Sequence, residues 1–100
     1  MVKHIVFWRL KSRGDEAARD ADARAIKSKI EAIRGRIPGL QRIEAGIDFS
    51  RTESSFDVVL YSEFESRAAL DGYQIHPVHQ EMAAYIAERR GDRAIVDYDA

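Results

Sequence analysis

The sequence predicts an α+β domain in which four antiparallel strands form one sheet and the helices cover one of its faces. Two observations carry this prediction. Short segments with alternating apolar residues and segments with apolar residues at helical spacing follow one another as strand, helix, strand, strand, helices, strand. In addition, two of the predicted strands are apolar on both faces, which is typical of strands that are covered on both sides.

The first half of the chain predicts a strand, a long helix and a second strand. Val2 to Leu10 is rich in β-branched and aromatic residues, and its alternate positions place Val2, His4, Val6, Trp8 and Leu10 on one face. Asp15 to about Gly35 carries an apolar stripe at helical spacing, and Pro38-Gly39 then turns the chain. Leu40 to Phe49 alternates as a half-exposed strand does.

The second half predicts a third strand, two helices and a last strand. Phe56 to Phe64 is apolar on both faces, like the first strand. Ser66 is a typical N-cap for a short helix that ends near Gly72, and Pro77 is suited to the first position of a helix that runs to about Arg90. Ala94 to Tyr98 forms the last strand. This order is that of the ferredoxin-like βαββαβ fold, and residues 1–100 form one domain.

The two strands that are apolar on both faces predict a dimer. Helices of one subunit cover one face of the sheet, so the other face needs a different cover. The simplest cover is the same face of a second copy, which gives a twofold-symmetric homodimer, a dimeric α+β barrel.

Composition excludes several classes of partner. The net charge is −1, so the chain has no basic field for nucleic acid, and it contains no cysteine for a disulfide or a thiolate metal site. Arg9 interrupts the apolar start, no run has the length of a membrane span, and the cytoplasm is the expected location. No Gly-rich loop follows a strand, and no cofactor is expected.

The stretch from Tyr73 to His79 is the candidate site. His76 precedes Pro77 and is placed to cap the helix, which puts His79 in the first turn, where the helix dipole disfavours imidazolium. With Tyr73 upstream and His4 on the first strand, three groups that can hold a proton come together. The hypothesis is that His79 is a base, Tyr73 its hydrogen-bonded partner and His4 the group that polarises a carbonyl. Each residue also has a purely structural interpretation, as a cap or a buried side chain.

The sequence resembles the stress-responsive dimeric α+β barrel, or Dabb, family. The similarity covers nearly the whole chain in order. The matching segments are Val2-Lys3-His4-Ile5-Val6, Ile37-Pro38-Gly39-Leu40, Glu44-Ala45-Gly46, Phe56-Asp57-Val58-Val59-Leu60, Leu70 to His79 and Val96-Asp97-Tyr98.

The resemblance implies the ferredoxin-like fold and a homodimer through the sheet face. It implies a stress-responsive domain that binds a small, partly apolar or aromatic ligand between helices and sheet, with Trp8, Val6, Tyr73 and Met82 as pocket residues. Some members of the family resemble cofactor-free polyketide cyclases, in which the positions of Tyr73, His79 and His4 line the reaction pocket. A cyclase or lyase acting on a carbonyl is therefore the alternative function. Two further alternatives are a metal held by His76 and His79 with Glu81, and His79 as a haem ligand.

Overall fold

The computed structural model describes all 100 residues and contains four strands and three α-helices. A short 3₁₀ helix, Lys11–Gly14, joins the first strand to the first α-helix. The elements are β1 (Val2–Leu10), α1 (Glu16–Glu31), β2 (Leu40–Ile47), β3 (Val58–Phe64), α2 (Arg67–Gln74), α3 (Pro77–Ala87) and β4 (Arg90–Asp99). None of the helices combines the length and the apolar character that crossing a lipid bilayer requires.

The strands form one antiparallel sheet in the order β2-β3-β1-β4. This order, with helices after the first and third strands, confirms the ferredoxin-like fold. Because β1 lies between β3 and β4, each of its residues from Val2 to Trp8 has a neighbour on both sides. Val6, for example, lies between Leu60 and Ile95.

The two faces of the sheet differ in their cover. Burial alternates along β1, so that Val2, His4, Val6, Trp8 and Leu10 are buried on the face that carries the helices. The predicted division of β1 into two faces is therefore confirmed. The residues between them are half-buried, as are Val59 and Tyr61 of β3. On the same face, Val96 and Tyr98 of β4 pair with Ile5 and Lys3 of β1. Val96 is 51% exposed and Tyr98 is 44% exposed.

Several elements end at other residues than the sequence predicts. β2 stops at Ile47, and Phe49 is 92% exposed in the following loop. β4 begins at Arg90 instead of Ala94, because Arg90 pairs with Leu10 across a register shift that absorbs Gly91 and Asp92. A Gly-Asp pair at the end of a helical pattern predicts a turn, whereas here it lies within an irregular strand.

Candidate functional site

A cavity of about 220 Å³ lies between the sheet and helices α2 and α3. Apolar side chains from β1, β3 and α3, including Leu60 and Ile86, form much of its wall. The structure brings all six residues singled out from the sequence to this one cavity: His4, Val6, Trp8, Tyr73, His79 and Met82. Sequence positions from both ends of the chain therefore meet at a single cavity.

The junction between α2 and α3 fixes the tyrosine and the second histidine. Ser66 caps α2 by accepting a hydrogen bond from the Ala69 amide at 3.1 Å. His76 caps α3, because its Nδ1 accepts from the Val78 amide at 3.1 Å, and Pro77 follows in the first turn. The predicted capping role of His76 is thus confirmed, and its imidazole is used within the fold.

His79 lies in the first turn of α3 with one ring nitrogen committed to the backbone. Its Nδ1 is 3.2 Å from the carbonyl oxygen of Gln74, to which it donates in the neutral tautomer. Nε2 is then left as a proton acceptor. Burial lowers the pKa of His79, and the charge of His4 lowers it further. The predicted preference for neutral imidazole holds in direction, but its main cause is burial and not the helix dipole.

Tyr73 lies at the centre of an aromatic cluster. Its ring centroid is 4.2 Å from that of His79, 5.1 Å from that of Phe64 and 6.0 Å from that of His4. The residue is 1% exposed, and its buried hydroxyl has no hydrogen-bond partner within the protein. Burial raises the pKa of Tyr73 well above its ordinary value, so the hydroxyl stays protonated. The expected hydrogen bond between Tyr73 and His79 is wrong: the two rings pack against each other instead.

His4 has a carboxylate partner that sequence reasoning missed. Its Nδ1 forms a short hydrogen bond with Oδ1 of Asp97, which lies directly opposite on β4. The His4 side chain is buried, whereas Asp97 is partly exposed. A carboxylate at this position holds the imidazole in one orientation. Only the register between β1 and β4 brings these two residues together, and the sequence alone does not give that register.

Two arginines of β4 also line the cavity and were missed. Arg90 is half-buried and Arg93 is exposed. The predicted last strand began only at Ala94, so both positions were placed outside the sheet. One pattern in the sequence indicates the position of Arg93: Arg93, Ile95 and Asp97 occupy alternate positions, as residues on one face of a strand do.

The residues considered as metal ligands do not form a cluster. Nowhere do three histidine, cysteine, aspartate or glutamate side chains come together as ion ligands would. His76 uses Nδ1 to cap α3, and Glu81 lies outside the cavity that contains His79. The described arrangement offers proton donors and acceptors rather than a ligand set.

Comparison with known proteins identifies the family. The family model described as "Stress responsive A/B Barrel Domain" (Dabb) matches residues 2–100. A dimeric ferredoxin-like protein of unknown function from Bacteroides fragilis is 30% identical, with a TM-score of 0.87 over 99% of this chain and 95% of that chain.

Two more distant structures share the fold. Hydroxynitrile lyase from Passiflora edulis is 21% identical, with a TM-score of 0.78 over 97% of this chain and 90% of its own. A Dabb family protein from Mesorhizobium loti is 22% identical, with a TM-score of 0.69 over 99% and 95%. No curated protein sequence is a significant match. The family model and the 30% identical structure together show that the chain belongs to the stress-responsive A/B barrel (Dabb) family.

Proposed function

We propose that the cavity binds a small, partly apolar carbonyl compound whose oxygen accepts a hydrogen bond from the Tyr73 hydroxyl. The observation that carries this proposal is that Tyr73 lines the cavity and that its buried hydroxyl has no partner within the protein. A buried donor left unsatisfied costs about 1–3 kcal/mol, so native proteins rarely keep one without a use. A ligand oxygen supplies the missing acceptor.

The size of the cavity suits a ligand of about one ring with one or two short substituents. Its volume of about 220 Å³ exceeds the roughly 150 Å³ of an engineered cavity that binds benzene, and it is smaller than typical drug-sized sites. The ring faces of Trp8 and Tyr73 and the aliphatic side chains of Val6 and Met82 suit such a ligand. Acetophenone, one ring with one carbonyl, is a fitting probe.

Replacing Tyr73 with phenylalanine is expected to weaken acetophenone binding by about 3- to 10-fold, the value of one net hydrogen bond. Ligand-observed NMR titration measures the change. Isopropylbenzene, which has the same shape and no acceptor, serves as the matched ligand and should bind both proteins equally. The variant should unfold at the same temperature as the parent or higher, because the hydroxyl has no partner to lose. Equal acetophenone binding by both proteins would refute the role of the hydroxyl.

A second candidate function is proton transfer next to the carbonyl, and the pairing of His4 with Asp97 favours it. Nε2 of neutral His79 removes a proton from the carbon beside the carbonyl; the C–H electron pair forms a C=C bond and the C=O π pair moves onto the oxygen, which gives an enolate. Tyr73 donates its hydrogen bond to that oxygen, and the His4 imidazole, oriented by Asp97, lines the same cavity. The proton then returns from His79. The hydroxynitrile lyase named above shows that the fold can carry an enzyme, although identity is only 21%.

We also propose that two copies associate through the face of the sheet that carries no helices. Four half-buried residues lie on this face: Ile5, Phe7, Val59 and Tyr61. The charged groups of Lys3 and Arg42 lie beside them, with Lys3 Nζ 5.8 Å and Arg42 Cζ 5.6 Å from the centroid of the Tyr61 ring. An apolar centre with a charged rim is typical of protein interfaces. The similar protein from Bacteroides fragilis is a dimeric protein.

Sedimentation equilibrium should give twice the 11.4 kDa chain mass for the parent protein. Ile5→Glu places a charge at the centre of the face and should give monomers at the same concentration. Ile75→Glu makes the same change at a residue that is 78% exposed, at the end of α2, and should stay dimeric. A monomeric parent, or a dimeric Ile5→Glu variant, would rule out this interface.

A further inference from the structure

We infer that the ligand carries a carboxylate, bound by Arg90 and Arg93, at the end of the cavity opposite His4. The inference rests on the proposed function, since it adds a second recognised group to the carbonyl compound. It names the ligand class as a small acid in which an apolar spacer separates the carboxylate from the carbonyl.

The first support is that both arginines keep their guanidinium groups free for a ligand. Arg93 has no hydrogen bond or ion pair with any other side chain, and Arg90 donates only to the adjacent carbonyl oxygen of Gly91, at 3.1 Å. Elsewhere Arg19, Arg51 and Arg67 each have a carboxylate within 4 Å. Two unpaired arginines beside one cavity are therefore available to bind a planar anion through paired N–H donors.

The second support is the charge of the cavity wall. Its charged lining residues are Arg90 and Arg93, and no aspartate or glutamate lines it. The whole chain has a net charge of −1, so this local excess of positive charge does not follow from composition. The carboxylate of Asp97, next to His4 on the adjacent strand, is already paired with His4. A wall of this kind favours an anionic ligand over a neutral one.

The third support is the spacing along the sheet. On the cavity side of β1 and β4, His4 lies beside Asp97, Val6 beside Ile95 and Trp8 beside Arg93. His4 and Trp8 are four residues apart, which is about 13 Å along a strand. The long side chain of Arg93, next to Trp8, shortens the distance between its guanidinium group and the His4 imidazole. The row between them is apolar. A ligand that reaches both ends therefore has its carboxylate and carbonyl at opposite ends of a flat, apolar body.

The test compares 4-acetylbenzoate with 4-acetylbenzamide, which has the same shape and no charge. At pH 7.5 and low salt, the parent protein should bind the acid about 10-fold more tightly than the amide, as a charge-assisted contact predicts. This preference should shrink as salt is added. The double variant Arg90→Gln/Arg93→Gln should lose it, whereas Arg24→Gln, at an exposed arginine on α1 away from the cavity, should keep it. Titration calorimetry measures all the affinities.

The outcomes separate this inference from the proposed function. Equal affinity of the parent for acid and amide, or a preference that survives the double variant, overturns the carboxylate site. If acetophenone still binds with a Tyr73-dependent affinity in that case, the proposed function stands without it. If acetophenone shows no dependence on Tyr73 but the acid still needs both arginines, the anion site stands and the carbonyl contact fails.

Discussion

His79→Gln should slow the exchange of acetophenone methyl protons for solvent deuterium by at least about 100-fold, the usual contribution of a positioned base. The physical reason is that Nδ1 of His79 is held by the Gln74 carbonyl, so Nε2 is the free acceptor in the wall of the cavity. Glutamine retains a polar side chain of similar length but does not accept the proton. The loss of the methyl signal in proton NMR measures the rate.

The dependence on pH gives a second readout of the same role. Burial lowers the pKa of His79, so the neutral base is populated from below the ordinary histidine value of about 6.5. After correction for the uncatalysed reaction, the rate should fall as pH drops below that value and should be level around pH 7. A rate that is independent of pH from 5 to 8 would contradict a histidine base.

Two further variants separate chemistry from structure. Asp97→Asn removes the carboxylate that orients the His4 imidazole and should reduce exchange by up to about 100-fold. His76→Asn removes the third imidazole but retains a good N-cap for α3, and exchange should stay at the parent rate. Equal loss in all three variants would indicate damage to the α2–α3 junction instead of loss of a base.

Gly39→Ala should destabilise the domain by about 2–4 kcal/mol, a large share of the 5–15 kcal/mol typical of a native domain. Gly39 has φ of +78°, where a side chain costs about 1–2 kcal/mol, and an added Cβ would lie 2.5 Å from Cβ of Ala69 on α2. The Cβ of Ala69 is bonded directly to the backbone of α2, so the clash can be relieved only if α2 moves. Because α2 carries Tyr73, acetophenone binding should weaken as well.

Gly35 provides a matched control for this prediction. It has the same φ of +78°, and a Cβ there would meet nothing within 4 Å. Gly35→Ala therefore measures the backbone cost alone, and the difference between the two variants isolates the contact with α2. Thermal unfolding at one protein concentration should place Gly39→Ala roughly 5–15 °C below Gly35→Ala. Equal melting temperatures, or no recovery when Ala69→Gly is added to Gly39→Ala, would contradict close packing of α2 on this turn.

The elements of this fold follow from local patterns in the sequence. Alternation along β1 divides it into a buried and a half-buried face, and His76-Pro77 fixes the start of α3. Both patterns depend only on residues within one turn or one strand, so the structure contains the elements that they predict. The element boundaries at Gly91-Asp92 differ, because pairing with Leu10 outweighs the local preference for a turn.

The contacts that give the site its chemistry depend on long-range pairing and were less accessible. Asp97 is 93 positions from His4 in the sequence, and only the β1–β4 register makes them partners. The unpartnered hydroxyl of Tyr73 likewise results from how α2 seats its ring between Phe64 and His79. The sequence predicts that His4, Tyr73 and His79 lie near one another, as they do, but it assigns Tyr73 a hydrogen bond to His79 that the structure does not contain.

The central claim is that the space between helices and sheet is a ligand site built around the Tyr73 hydroxyl. Intermolecular nuclear Overhauser effects between ¹³C-labelled acetophenone and the protein test it most directly. The account predicts contacts from the ligand methyl group to His79 and Tyr73 and from the ring to Trp8 and Met82. Contacts confined to the helix-free face of the sheet, around Phe7 and Val59, would contradict it.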